Sequence, residues 1–234
     1  MSEGRGNFQE WTADQVLKAL WNSVVNVQVR MDFWHCLFAD KARVERLNEI
    51  AGGPIGLVQR SMWDEILISL ARLYDPARTH KNLNLSLYAL VEDYELPRAA
   101  DARKRVEKLL DDAPTDELND VRRKLIAHND RQWNLEGVNQ SGFTYGMEKR
   151  LLKTAQDVLN EVNLDLNDSG YIWEWNDSAF GADRLFKLLD AGKRREEELG
   201  WLEKQYMADA DAGCPVAMSE FMKLGGFKMK AQTY

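Results

Sequence analysis

"TADQVLKALWNSVVNVQVRMDFWHCLF", residues 12–38, decides the fold. Leu17, Leu20, Val24, Val27, Met31, Trp34 and Phe38 recur at alternating spacings of three and four, which lines them up as one apolar stripe on a 3.6-residue turn. Thr12, just ahead of the run, is an N-cap candidate. "KARVERLNEI", 41–50, continues as a second helix, or as the first after a bend, until Gly52-Gly53-Pro54 stops it. Val58, Trp63, Ile66, Leu67, Leu70 and Tyr74 then predict a further stripe, ended by Asp75-Pro76 because the residue before a proline is pushed out of helical geometry. "DPARTHKNLN", 75–84, reads as a loop.

Beyond it, residues 86–95, 99–112 and 116 to about 127 read as shorter helices, the last opened by Thr115 or Asp116 as a cap. A Gly- and Asn-rich connector, "NLEGVNQSGFTYG", leads into a helix over about 146–163, where Leu151, Leu152, Ala155, Val158, Leu159 and Val162 share a face. Ser178–Leu199 predicts one more helix, bent or interrupted near Gly192. No alternating β-branched run is long enough to seed a sheet, and "YIWEW", 171–175, is the only brief candidate. The expected fold is all-α: an antiparallel helical bundle over residues 1–200, followed by a partly irregular C-terminal extension over 201–234.

Composition narrows the function classes. A net charge of -7 and a pI near 5.2 argue against a general basic field that coats nucleic acid. No apolar run approaches a membrane span, and the polar start "MSEGRGNFQE" lacks a signal-peptide pattern, so a cytoplasmic setting without membrane contact is expected. Cys36 and Cys214 are too few and too far apart for a disulfide framework or a zinc module.

Against that acidity stands "VRRKLIAHND", 121–130. Arg122, Arg123, Lys124 and Arg131 face only Asp130, which makes a local anion site. "RAADARKRVEK", 98–108, sets five cations against two acids and extends that site if the two helices are neighbours. His128 titrates near neutrality and arginine offers a permanent fork matched to phosphate, so the pair has the chemistry to cleave RNA without a metal or other cofactor. A base would take the ribose 2′-hydroxyl proton, the oxygen would attack phosphorus, and arginine would stabilise the phosphoryl charge. On a regular helix, a spacing of six leaves Arg122 and His128 about 120° apart. Asn129 as a left-handed C-cap would put His128 in a distortable last turn, and the long arginine stem can bend round the helix. In the plainer reading, these cations merely complement a helix C-terminus and solvate one face.

"VRRKLIAHND" at the end of a helix, with "ISLARLYDP" upstream, resembles the R-x(4–6)-H signature of the HEPN superfamily and the matching helix of its abortive-infection branch. The likeness spans about residues 10–195. It implies a helical bundle that forms a homodimer, with paired motifs building a metal-independent endoribonuclease site in active members, often as a toxin or antiviral effector. On that resemblance Arg122 and His128 are the catalytic pair, and Arg123, Lys124, Asn129 and Arg131 hold the RNA. An antitoxin or defence-system protein is the expected partner. Arg123 departs from the family pattern, because many active members carry a small polar residue there; an extra cation would lower the histidine's pKa by like-charge repulsion. Asp130 stands where some members carry a tyrosine modified by a partner nucleotidyltransferase. A non-catalytic module that binds a nucleotide, RNA or protein is the alternative, and an interaction scaffold the third.

Three further features have structural readings. His35, beside Trp34, fits a hydrogen-bonded structural histidine, and His80 a solvated loop residue. Tyr171, Trp173 and Trp175 fit an arm packed on the bundle better than a base-stacking platform.

Overall fold

The computed structural model describes residues 11–123, 142–173 and 181–211. Seven helices stand among them: α1 (Ala13–Phe38), α2 (Lys41–Leu73), α3 (Leu87–Glu92), α4 (Ala100–Asp111), α5 (Thr115–Val121), α6 (Met147–Asn167) and α7 (Ala182–Asp211). The chain divides into two compact units, Met1–Asp177 and Ser178–Tyr234.

In the first unit, α1 starts where Thr12 accepts the Gln15 backbone N–H while the Gln15 side chain takes the Thr12 N–H, a reciprocal capping box. Its stripe is buried from Leu17 to Phe38, with Trp34 half-buried. α2 runs back antiparallel, since Arg30 meets Glu65 while Trp34 Nε1 donates to the Gln59 carbonyl. The expected stop at the glycines is a kink: Ala51 leaves helical geometry (φ -160°, ψ 61°) and the helix restarts at once. Gly52, Gly53 and Pro54 then fall in the restarted first turn, where proline's missing N–H costs nothing. Val58 does not join the buried stripe; it is exposed, whereas Ile66, Leu67 and Leu70 are buried.

α6 packs against α1, α2 and α4 and carries the predicted face of Leu151, Leu152, Ala155, Val158, Leu159 and Val162 into the core. Asp165 on α6 accepts the backbone N–H groups of Arg98 and Ala99 at 2.6 and 2.9 Å, a side-chain acceptor at the start of α4 that its N-cap residue Ala99 cannot provide. α5 packs against α2. Its N-cap position is Pro114, with Thr115 already inside the helix and no side-chain cap, so neither Thr115 nor Asp116 plays the predicted part.

Two small differences concern extended segments. Within the predicted loop, Arg78–Thr79 pairs antiparallel with Asn82–Leu83 and leaves His80 exposed at the tip with φ 55°. "YIWEW" forms no strand over its described residues. Tyr171 and Trp173 instead lie on Trp21, with ring centroids 5.7 and 6.4 Å away, and Trp175 lies outside the described residues. Those faces are occupied by the bundle itself, as the packed-arm reading expects.

In the second unit, α7 runs through Gly192 and Gly200 to Asp211 without the expected break. A mid-helix glycine costs only about 1 kcal/mol relative to alanine, which the surrounding helix formers offset.

Candidate functional site

The site begins with how α2 ends. Tyr74 caps the helix and is buried; its hydroxyl donates to the Leu151 carbonyl of α6 at 2.6 Å, and burial, with Tyr88 adding to it, pushes its pKa up. That anchor fixes the next residue, Asp75, at the surface, where Pro76 prevents further helix. α5 buries Leu118 and Val121. Arg122 follows, still in right-handed helical dihedrals (φ -55°, ψ -48°), and its Nη1 donates to Asp75 Oδ1 at 2.7 Å across 47 residues of sequence.

Arg122 is therefore neither a solvated surface cation nor a buried one. Its side chain is 38% exposed and Asp75's is 26% exposed. The single contact leaves the Nε and Nη2 hydrogens of Arg122 without a partner among the described residues. Arg123 points elsewhere: it pairs with Asp120 one turn back at 2.8 Å and is 66% exposed. Lys124, His128, Asn129 and Arg131 lie outside the described residues.

Asp75 also lines an open groove of about 380 Å³, together with Asn26 and Arg30 of α1, Ser69 and Arg72 of α2, and Leu83 of the small hairpin. Two cations of the basic segment 98–108 have partners of their own. Arg105 pairs with Glu161 on α6 at 2.7 Å and Arg103 with Glu107 at 3.1 Å, and α4 packs along α6.

A second polar cluster surrounds His35. Its Nδ1 lies 3.1 Å from the Tyr145 hydroxyl, and its ring packs edge-on to Trp34. Burial lowers its pKa, Lys149 lowers it further, and Glu148 and Asp32 oppose the shift. The structural reading of His35 describes what is seen. Glu148 is fully buried; one carboxylate oxygen accepts the Gly146 N–H at 2.7 Å and the other has no partner among the described residues.

Sequence reasoning missed Asp75 as a partner and read it only as a helix stop. Nothing local pairs position 75 with 122. Glu148 did leave a signal, since it falls one turn before Leu151 and Leu152 on the buried face of α6.

The comparisons agree with the architecture. The HEPN family model described as AbiU2 matches residues 12–185. No curated protein and no solved structure matches the chain significantly.

Proposed function

The chain belongs to the abortive-infection HEPN family described as AbiU2, and from that premise we propose that it is a metal-independent endoribonuclease. The observation that carries the reading is the placement of Arg122: a partly exposed guanidinium steadied by Asp75, a carboxylate that also lines a groove, with no other partner among the described residues. Such a group adds charge where a phosphoryl oxygen accumulates it, without reorganising in the transition state. His128 follows at the spacing of the family signature and serves as general base or acid for the 2′-hydroxyl or the leaving oxygen. Arg123, Lys124, Asn129 and Arg131 hold the substrate backbone. A homodimer would bring two such sites together, and an antitoxin or other defence protein would restrain them.

The same ion pair favours a second reading. With its charge matched by Asp75, and with Arg123 where small polar residues are usual, the motif suits a module that binds RNA, a nucleotide or a protein without turning it over.

Purified protein incubated with RNA in excess EDTA separates the two. The nuclease cuts, and both Arg122→Ala and His128→Ala abolish cutting while circular dichroism and thermal unfolding stay close to those of the parent. Cutting that survives either substitution, or binding with no cutting at all, removes the catalytic assignment.

A further inference from the structure

The groove beside Arg122 combines features that the paired motif does not explain. Its charges largely cancel in pairs: Arg30 donates to Glu65 Oε1 and to Ser69 Oγ, both at 3.1 Å, and Asp75 is matched by Arg122. Arg72 is the exception, because it lines the groove, is exposed, and has no ion-pair partner among the described residues. The same wall carries the uncharged hydrogen-bonding side chain of Asn26. The same lining includes Leu83, 62% exposed on the hairpin, an apolar edge outside the first unit's core. One unmatched guanidinium, neutral hydrogen-bonding groups and an apolar edge, in about 380 Å³, form a site of the size that small ligands occupy.

We propose that this groove holds one nucleoside phosphate, with Arg72 on the phosphate and Leu83 against the base, as the unit of single-stranded RNA that flanks the linkage facing Arg122. The proposal rests on the nuclease reading only for the word flanking; the groove's chemistry is that of a nucleoside phosphate whether or not the chain is cut. Asp75 joins the two places, since it belongs to the groove and to the Arg122 ion pair alike. An isolated carboxylate there would repel phosphate. Paired with Arg122 it does not, and it holds the motif arginine at the groove's end.

The test uses the full chain and a fluorescent five-nucleotide 2′-O-methyl RNA, which lacks the attacking hydroxyl and stays intact, alongside adenosine monophosphate. Affinity is measured by anisotropy, with unlabelled monophosphate as competitor, over a series of salt concentrations. Arg72→Ala is expected to weaken RNA binding about tenfold and to reduce the slope of log affinity against log salt by about 0.7, the share of one phosphate contact on a single strand. Leu83→Ser is expected to weaken binding several-fold and leave that slope unchanged. Lys104→Ala, an exposed cation on α4, serves as control and leaves both unchanged.

Monophosphate that binds as tightly as the oligomer keeps the groove and makes a free nucleotide its occupant. Arg72→Ala binding like the parent, or the control losing as much, overturns the proposal even if the protein cuts RNA. Conversely, the expected Arg72 result in a protein that never cuts RNA leaves the groove standing and removes the nuclease reading.

Discussion

Along the seam of α1 and α2, Leu20, Val24, Val27, Ile66 and Leu70 are each sealed among apolar neighbours, whereas at the end of α2 Asp75 meets Arg122 through one 2.7 Å ion pair that water still reaches. Burial of apolar surface is non-directional, so many side chains of similar volume satisfy the seam and each supports the others. The ion pair is directional and stands alone. In stability it contributes little, because a partly exposed pair is screened and contributes at most about 1 kcal/mol. The two regions thus divide the work on the proposed reading: the seam holds the fold with interchangeable parts, and the pair would hold the reacting phosphate with a geometry that few other side chains supply.

That contrast breaks most readily at Arg122. Arg122→Lys keeps the positive charge and can still meet Asp75, but a compact ammonium lacks the planar fork. RNA cleavage by the substituted protein should fall about a thousandfold, the upper range for loss of a donor to a developing oxyanion. Its midpoint in urea should barely move. A lysine variant that cleaves like the parent would mean that position 122 needs only charge, and the region would then be as tolerant as the core.

The mirror test sits 52 residues earlier in sequence, at fully buried Leu70. Leu70→Ala should cost about 3 kcal/mol in urea unfolding, through lost transfer energy and the cavity left behind. Leu70→Met, which roughly conserves volume, should stay within about 1.5 kcal/mol. Neither should change cleavage per folded molecule. If Leu70→Ala lowered turnover in the folded fraction, packing and site would be coupled, and the proposed division would fail.

The same division explains what could be read in the chain beforehand. The stripes of α1, α2 and α6 were legible because helical periodicity repeats over many residues, and one exception such as Val58 in α2 does not spoil the pattern. The kink at Ala51 was half-legible: glycine and proline announce a break but do not say whether the chain resumes in the same direction. Arg122 stood out through its neighbours in sequence and through resemblance to a family motif. Asp75 did not, because its role is set by how α5 packs on α2, a tertiary relation with no period. The arginines of 98–108 make a related case: charge is visible in sequence and so is the one-turn pair of Arg103 with Glu107, but Glu161 of α6, which engages Arg105, is a partner assigned by packing. A glycine-containing helix such as α7 was read too short for a related cause, since single-residue propensity is a weak local penalty against a long cooperative run.

The smallest expected effect separates the two regions by pH. His35 belongs to the packed region: its ring is enclosed by Trp34 and Tyr145, and burial, joined by Lys149 and opposed by Glu148 and Asp32, lowers its pKa in the folded protein. A lowered folded value means that the unfolded chain takes up the proton first as pH falls, from about 6.5 downward. The His35 contribution to stability is therefore fully present above that value and is lost as pH drops through the folded pKa. Solvent still reaches part of the ring, which keeps the effect modest. Thermal unfolding between pH 8 and pH 4.5 should show the parent losing stability over this window, and His35→Gln should flatten that part of the curve. The pH dependence of cleavage should not follow, because the proposed mechanism assigns proton transfer to His128 and not to His35. A His35→Gln protein whose cleavage profile shifted along with its stability curve would show that the packed histidine and the motif histidine feel the same charges. One with a flattened stability curve and an unmoved cleavage profile would show that the interior and the site titrate independently.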